Sequence, residues 1–168
     1  MEVKLLDLTR QYRHIKNEID PVVQAIVNSQ QFVNGPVVEE FEKNFAKFCD
    51  TKFAVGCSSG TDALLMSLIA LNIGKGDEVI TTPFTFFATV EAIIRVGATP
   101  VFVDINERTF NIDVSQIEKA ITSKTKAILP VHLFGQCAEM DQILSLAKKY
   151  DLKVIEDACQ AIGATWKG

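Results

Sequence analysis

The 168-residue sequence lacks long apolar runs, basic clusters and paired cysteines, and it has only two histidines. Each absence excludes something. No apolar run approaches the roughly 18 residues of a membrane span, so no transmembrane segment is expected. The opening stretch MEVKLLDLTRQYRHIK is charged throughout and has no apolar core, so no secretory signal is expected. Seventeen basic residues stand against 21 acidic ones, a net charge of -4, with no basic run. A nucleic-acid partner is therefore not expected. The four cysteines, Cys49, Cys57, Cys137 and Cys159, form no C-x-x-C pair, and His14 and His132 complete no metal-ligand pattern with them. That spacing argues against a metal site and suggests reduced, mostly buried thiols in a cytoplasmic protein. Neither a Walker-type loop nor a G-x-G-x-x-G stretch is present, so a nucleoside triphosphate or dinucleotide is not indicated. There is no internal repeat and no low-complexity tract.

What is present reads as a packed domain. Hydrophobic residues make up 48% and charged residues 23% of the chain, the balance of a globular core. From residue 53 the pattern alternates. FAVGC (53–57), DEVITT (77–82), TPVFVDI (99–105), the start of TKAILPVHLFG (125–135) and LKVIED (152–157) read as strands. Between them, SSGTDALLMSLIALNIG, TFFATVEAIIRVG, DVSQIEKAIT and EMDQILSLAKKY carry helical periods with glycine or polar stops. Alternating strand and helix predicts an α/β fold, a mostly parallel sheet with helices on both faces. The runs VFV and AIL are apolar without alternation, as strands covered on both faces require. Residues 1–50 differ: YRHIKNEIDPVVQAIVNSQ and VVEEFEKNFAKFC are helical, joined by FVNGP, and read as an N-terminal arm and loop. Residues 51–168 then form the sheet domain.

In open parallel sheets, ligands bind beyond the carboxyl ends of the strands, so those exits carry the candidate residues. SSGTDAL places small residues and hydroxyls at a helix start. Ser59 with Asp62 three residues on is a capping box; equally, free N–H groups at Gly60 and Thr61 and the Thr61 hydroxyl form a phosphate cradle. TFFAT brings two aromatic rings to the next exit, either core residues or a stacking platform for a flat ring. Asp157 ends the last strand. It is either a loop cap or a partly desolvated carboxylate, which would need a cationic partner to stay ionised. A protonated pyridine nitrogen is such a partner. Cradle, stacking ring and carboxylate together describe a pyridoxal phosphate site.

These segments, with LLDLTRQY and FVNGPVVEEFE near the start and VIEDACQAIGA near the end, resemble the DegT/DnrJ/EryC1/StrS family of pyridoxal-phosphate-dependent nucleotide-sugar aminotransferases. The resemblance runs from about residue 5 to the last residue. It implies the fold type I architecture of aspartate aminotransferase, here the N-terminal portion of the large domain. It implies that Gly60 and Thr61 bind the cofactor phosphate, Phe86 stacks on the ring, Asp157 pairs with the ring nitrogen and Gln160 bonds near the 3-oxygen. His132 and Gln136 would shape the cleft floor, His132 as a substrate-binding residue or as a satisfied strand-end histidine. The resemblance further implies a homodimer. It also implies an amino donor, commonly glutamate, and a keto sugar linked to UDP or dTDP, with a slight lean towards the 3-keto position, in amino-sugar and polysaccharide biosynthesis.

The family's Schiff-base lysine lies about twenty residues past the EDA motif, so it is expected beyond Gly168 with the rest of the large domain and the small domain. Lys167, in ATWKG, does not match the lysine segment and reads as a surface residue. The 168 residues alone are therefore expected to be inactive, with no catalytic residue of their own and an exposed sheet edge. Relatives that replace the lysine with histidine and dehydrate the sugar, and a non-catalytic binding relative, are the alternatives.

Overall fold

The computed structural model describes residues 5–168; residues 1–4, which open the charged stretch discussed above, lie outside the described residues. The chain divides into two compact units, Met1–Gly56 and Cys57–Gly168. No helix among the described residues is long and apolar enough to cross a membrane.

The first unit holds α1 (Thr9–Ser29) and α2 (Pro36–Phe48). Pro21 sits within α1 without ending it. The carbonyl that loses its bond to the missing N–H belongs to Asn17, an exposed residue that water can serve. No residue of α1 is buried; Tyr12, Ile15, Ile19, Val22, Val23 and Val27 are all exposed. α2 begins with proline in its first turn, where the absent N–H costs nothing. Gly35 before it is dictated by space, because a Cβ there would lie 2.6 Å from the Gln31 carbonyl oxygen. Along α2 the rings of Phe41 and Phe45 stack with centroids 5.5 Å apart. Glu42 accepts the Gly56 N–H at 2.7 Å, tying the end of the unit back to this helix.

The second unit is a sheet of four parallel strands in the order β2-β1-β3-β4. The strands are β1 (Glu78–Thr81), β2 (Thr99–Phe102), β3 (Thr125–Ile128) and β4 (Lys153–Val154). Around them lie α3 (Gly60–Ala70), α4 (Phe87–Arg95), α5 (Val114–Ala120) and α6 (Met140–Tyr150). Successive strand residues point to opposite faces, and the two cores follow that rule. Val79, Ala127 and Leu129 pack with Leu64 and Leu68 of α3 and Ala92 and Ile93 of α4. Ile80 and Ile128 pack with Ile117 of α5 and Met140, Ile143 and Ala147 of α6. Helices therefore cover both faces, as expected for the α/β class. The order reverses at β1, whose two neighbours are β2 and β3, and the crevice beyond that switch point is where such sheets bind ligands.

Three expectations need correction. FAVGC is not a strand: residues 53–57 join no ladder among the described residues, and Phe53 and Val55 are exposed. Apolar residues alone do not make a strand; a ladder partner is required. Of the two runs expected to be covered on both faces, Ala127, Ile128 and Leu129 are fully buried, whereas Phe102 is half exposed. β3 is central in this sheet and β2 is an edge, which also accommodates Pro100. Finally, the cysteines are free but not mostly buried. Cys49, Cys57 and Cys159 are exposed and Cys137 is half-buried, because they sit at helix ends and turns.

Candidate functional site

Four chain segments converge beyond the carboxyl ends of β1, β3 and β4. They enclose a cavity of about 290 Å³ whose wall includes Gly60, Thr61, Thr85, Phe86, Asp157 and Gln160. All five residues expected to bind a cofactor lie on it.

The start of α3 forms one side. Ser59 caps the helix, accepting the Asp62 N–H at 3.1 Å, and its carbonyl takes the Ala63 N–H at 3.0 Å. The Gly60 and Thr61 N–H groups precede the first helical bond and so have no helical acceptor. Only half of the capping box forms, because Asp62 takes the Ser58 hydroxyl instead. That hydroxyl holds the Asp62 carboxyl below the usual carboxylate range. Gly60 admits no side chain, since a Cβ there would lie 2.5 Å from Cys159 Sγ. This helix start is therefore bare backbone pressed against the loop after β4.

The start of α4 forms the next side. Phe86 is the N-cap residue, has no side-chain cap and keeps its ring 71% exposed at the cavity wall. An apolar ring left in that position is available for stacking.

Beyond β4 the ladder continues by an isolated parallel bridge between Val131 and Asp157. The Asp157 N–H donates to Pro130 O at 2.9 Å, and Asp157 O accepts the His132 N–H at 2.9 Å. This pairing drives the Asp157 side chain inward until it is only 6% exposed. Its Oδ2 accepts from the Thr89 hydroxyl at 2.8 Å and its Oδ1 from the Cys159 N–H at 3.3 Å. No lysine, arginine or histidine among the described residues forms an ion pair with it. Although the residue as a whole is exposed, partial desolvation of its sulfur, followed by the Asp157 carboxylate, pushes the Cys159 thiol up to about 11. That thiol is uncharged at neutral pH.

Gln160 is oriented by Phe134. The Phe134 N–H donates to Gln160 Oε1 at 2.9 Å, which leaves the Nε2 protons free to donate. Phe134 holds a left-handed backbone, φ 54°, to present that N–H.

His132 does not line the cavity, whereas its neighbours Val131 and Leu133 do. Its Nδ1 accepts the Ala138 N–H at 3.1 Å, so the ring proton sits on Nε2, 2.8 Å from Glu156 Oε2. Both ring nitrogens are satisfied, which is the strand-end alternative. Glu156 faces away from the cavity. Gln136 is likewise off this wall; it borders a separate polar hollow with Asn111 and Asp113. Lys167 pairs with Asp141 of α6 and is not on the wall either.

Thr85, Thr89 and Cys159 escape a reading of the sequence. The one available signal is the spacing of the two threonines, four residues apart around a helix start, which puts both hydroxyls on one side.

Among curated proteins, the chain is 51% identical over 168 residues to the pleiotropic regulatory protein of Geobacillus stearothermophilus, covering all of this chain and 45% of that protein. It is 47% identical to the UDP-2-acetamido-2-deoxy-3-oxo-D-glucuronate aminotransferase of Pseudomonas aeruginosa, covering 99% of this chain and 46% of that one. Among solved structures, NtdA of Bacillus subtilis with bound cofactor PMP superposes with a TM-score of 0.90 at 41% identity, over 98% of this chain and 38% of the other. The chain thus spans less than half the length of these relatives. The DegT/DnrJ/EryC1/StrS aminotransferase family matches residues 13–168, and the chain belongs to that family.

Proposed function

We propose that the protein carrying this chain is a pyridoxal-phosphate-dependent aminotransferase. It would move an amino group, with glutamate as donor, onto a keto carbon of a nucleotide-linked sugar for cell-surface polysaccharide or related amino-sugar synthesis. The observation that carries this reading is Asp157: a buried carboxylate, anchored on both oxygens, facing a cavity with no cationic side chain to pair with it. A buried carboxylate needs a positive partner, and a protonated ring nitrogen is one. The donor set around it fits the rest of such a cofactor. Gly60 and Thr61 would take the phosphate on free N–H groups at a helix start. Phe86 would cover one ring face, and Gln160 Nε2 would donate to a ring oxygen. Bound there, the cofactor supplies an electron sink for breaking bonds beside an amine nitrogen.

The residues of this chain bind, orient and exclude water. Asp157 would hold the ring nitrogen protonated, and Leu64, Val131 and Leu133 keep the inner wall apolar. We assign the covalent hold and the proton transfers to a lysine beyond Gly168. The name of the Pseudomonas aeruginosa enzyme supports an amino-sugar product made from a 3-keto sugar. The reading includes a homodimer in the cytoplasm. A second, regulatory role is favoured by the name of the Geobacillus stearothermophilus relative.

The test uses the full-length protein loaded with pyridoxal 5'-phosphate. It should be yellow, lose that band on borohydride reduction and carry the cofactor mass on one lysine. With glutamate and a panel of UDP- and dTDP-linked keto sugars, it should give an amino sugar detectable by mass. Asp157→Asn should lower turnover by about 100-fold or more, the scale of removing a charge-stabilising group. A colourless protein indifferent to borohydride would sink the aminotransferase reading. A histidine at the lysine position would point to sugar dehydration.

A further inference from the structure

The environment of Asp157 contains an arrangement that cofactor contact alone does not account for. Thr89 is fully buried on α4. A hydroxyl inside a helix ordinarily turns back to a carbonyl of its own helix. Ser67 of α3 does this, donating to Ala63 O at 2.8 Å. Thr89 does not. Its Oγ1 lies 2.8 Å from Asp157 Oδ2, across the boundary between α4 and the β4 exit, and 2.8 Å from Thr85 Oγ1.

The direction of these bonds follows from counting protons. A hydroxyl has one proton to give, and an ionised carboxylate can only accept. The Thr89 proton therefore points at Asp157, and the Thr85 proton must point at Thr89. The result is an ordered relay from Thr85, half-buried on the cavity wall, through Thr89, to the carboxylate. The other carboxylate oxygen has only the longer 3.3 Å bond from the Cys159 N–H. Remove the Thr89 hydroxyl and the buried carboxylate retains only the weak donors of Cys159, about which it can turn. The Cys159 thiol beside it keeps its proton at neutral pH, but S–H is a weak donor and a poor substitute for a hydroxyl.

We infer that Thr89, backed by Thr85, is a positioning residue that fixes the Asp157 carboxylate to receive a protonated heteroaromatic ring nitrogen. The inference rests on the cofactor reading above. Thr89 touches no substrate and acts only through Asp157.

The experiment compares wild type, Thr89→Val, Thr89→Ser and Thr85→Val in the full-length protein. Two quantities are read. One is the affinity for pyridoxamine 5'-phosphate by titration. The other is the absorption band of the bound cofactor, which reports whether the ring nitrogen is protonated. Thr89→Val should weaken binding by about tenfold, the scale of one charge-assisted hydrogen bond, and shift the band towards the unprotonated ring. Thr89→Ser should restore both to within about twofold, since it keeps the hydroxyl. Thr85→Val should show a smaller change in the same direction. Wild-type affinity and band in Thr89→Val overturn the inference. So does a Thr89→Ser protein as impaired as Thr89→Val, which would make the methyl packing responsible. Should Thr89→Val not fold, Thr85→Val decides, and no change there overturns the relay. If wild type takes up no cofactor at all, the functional reading fails and takes this inference with it. That outcome is separate, because it appears before any variant is made.

Discussion

At the scale of single residues, Glu156 and Asp157 show how neighbours in sequence acquire opposite fates. They alternate across the end of β4, so one faces the cavity and the other turns away. Asp157 is enclosed by threonine and backbone donors. Glu156 is half exposed and meets the Nε2 proton of His132. That hydrogen bond holds the Glu156 carboxyl below its ordinary value of 4.5. The sign of the consequence is definite. A depressed carboxyl stabilises the fold above its unfolded value and loses that contribution as pH falls through the folded value. Because solvent reaches half of the side chain, the charge is worth about 0.5 kcal/mol or less. Glu156→Gln keeps an acceptor for His132 but removes the charge. The variant should melt about 1–2 °C below wild type at neutral pH, and the gap should close in acid, once pH has fallen below the lowered Glu156 value. Differential scanning at the two pH values checks this. A gap that persists in acid would mean that charge is not what holds His132.

At the scale of elements, the site depends on how closely the start of α3 approaches the loop after β4. Gly60 is the contact point, and Cys159 Sγ occupies the space a side chain would need. Gly60→Ala should therefore force the helix start away from the loop, at a cost of about 1–3 kcal/mol for overpacking. It should also weaken phosphate binding, because the free N–H groups move with the helix. Cys159→Ala removes the obstructing sulfur. In the Gly60→Ala background it should recover most of the lost melting temperature and affinity, whereas in wild type it should do little. Additive effects in that double-mutant cycle would show that the two positions do not press on each other. Much of this level was legible beforehand. Helical periods with their glycine stops, together with the apolar runs at β1 and β3, located the elements. The small residues at 58–61 located the start of α3, whose Gly60 and Thr61 lie on the cavity wall. Two things were not legible. FAVGC has the composition of a strand, but pairing depends on a neighbouring strand that composition cannot reveal. Thr89 looks like any helical threonine, because its partner is Asp157, 68 residues further along the chain. Contacts of that range follow from the topology, not from local pattern.

At the scale of the whole molecule, the first unit raises a question that its own packing does not answer. Helix α1 runs for 21 residues without burying one, and its Tyr12, Ile15, Ile19 and Val22 recur at intervals of three, four and three. Such spacing lays an apolar stripe along one side of a helix. A stripe of this kind beside charged residues is more consistent with a covered surface than with a solvated one. The proposed homodimer supplies a cover of suitable chemistry, a second copy of the same stripe. The matter can be decided with Ile19→Glu, at the centre of the stripe. A glutamate there remains solvated in a free helix but becomes an unpaired buried charge in an interface, a loss of about 3–5 kcal/mol. If α1 lies in the interface, the full-length variant should dissociate at least about 100-fold more readily than wild type and sediment as a monomer at concentrations where wild type is a dimer. Its melting behaviour as a monomer should otherwise be little changed, because the side chain is exposed within its own chain. An unchanged dimer would place the interface on other surfaces. A wild-type protein that sediments as a monomer at every concentration would remove the dimer from the proposed function.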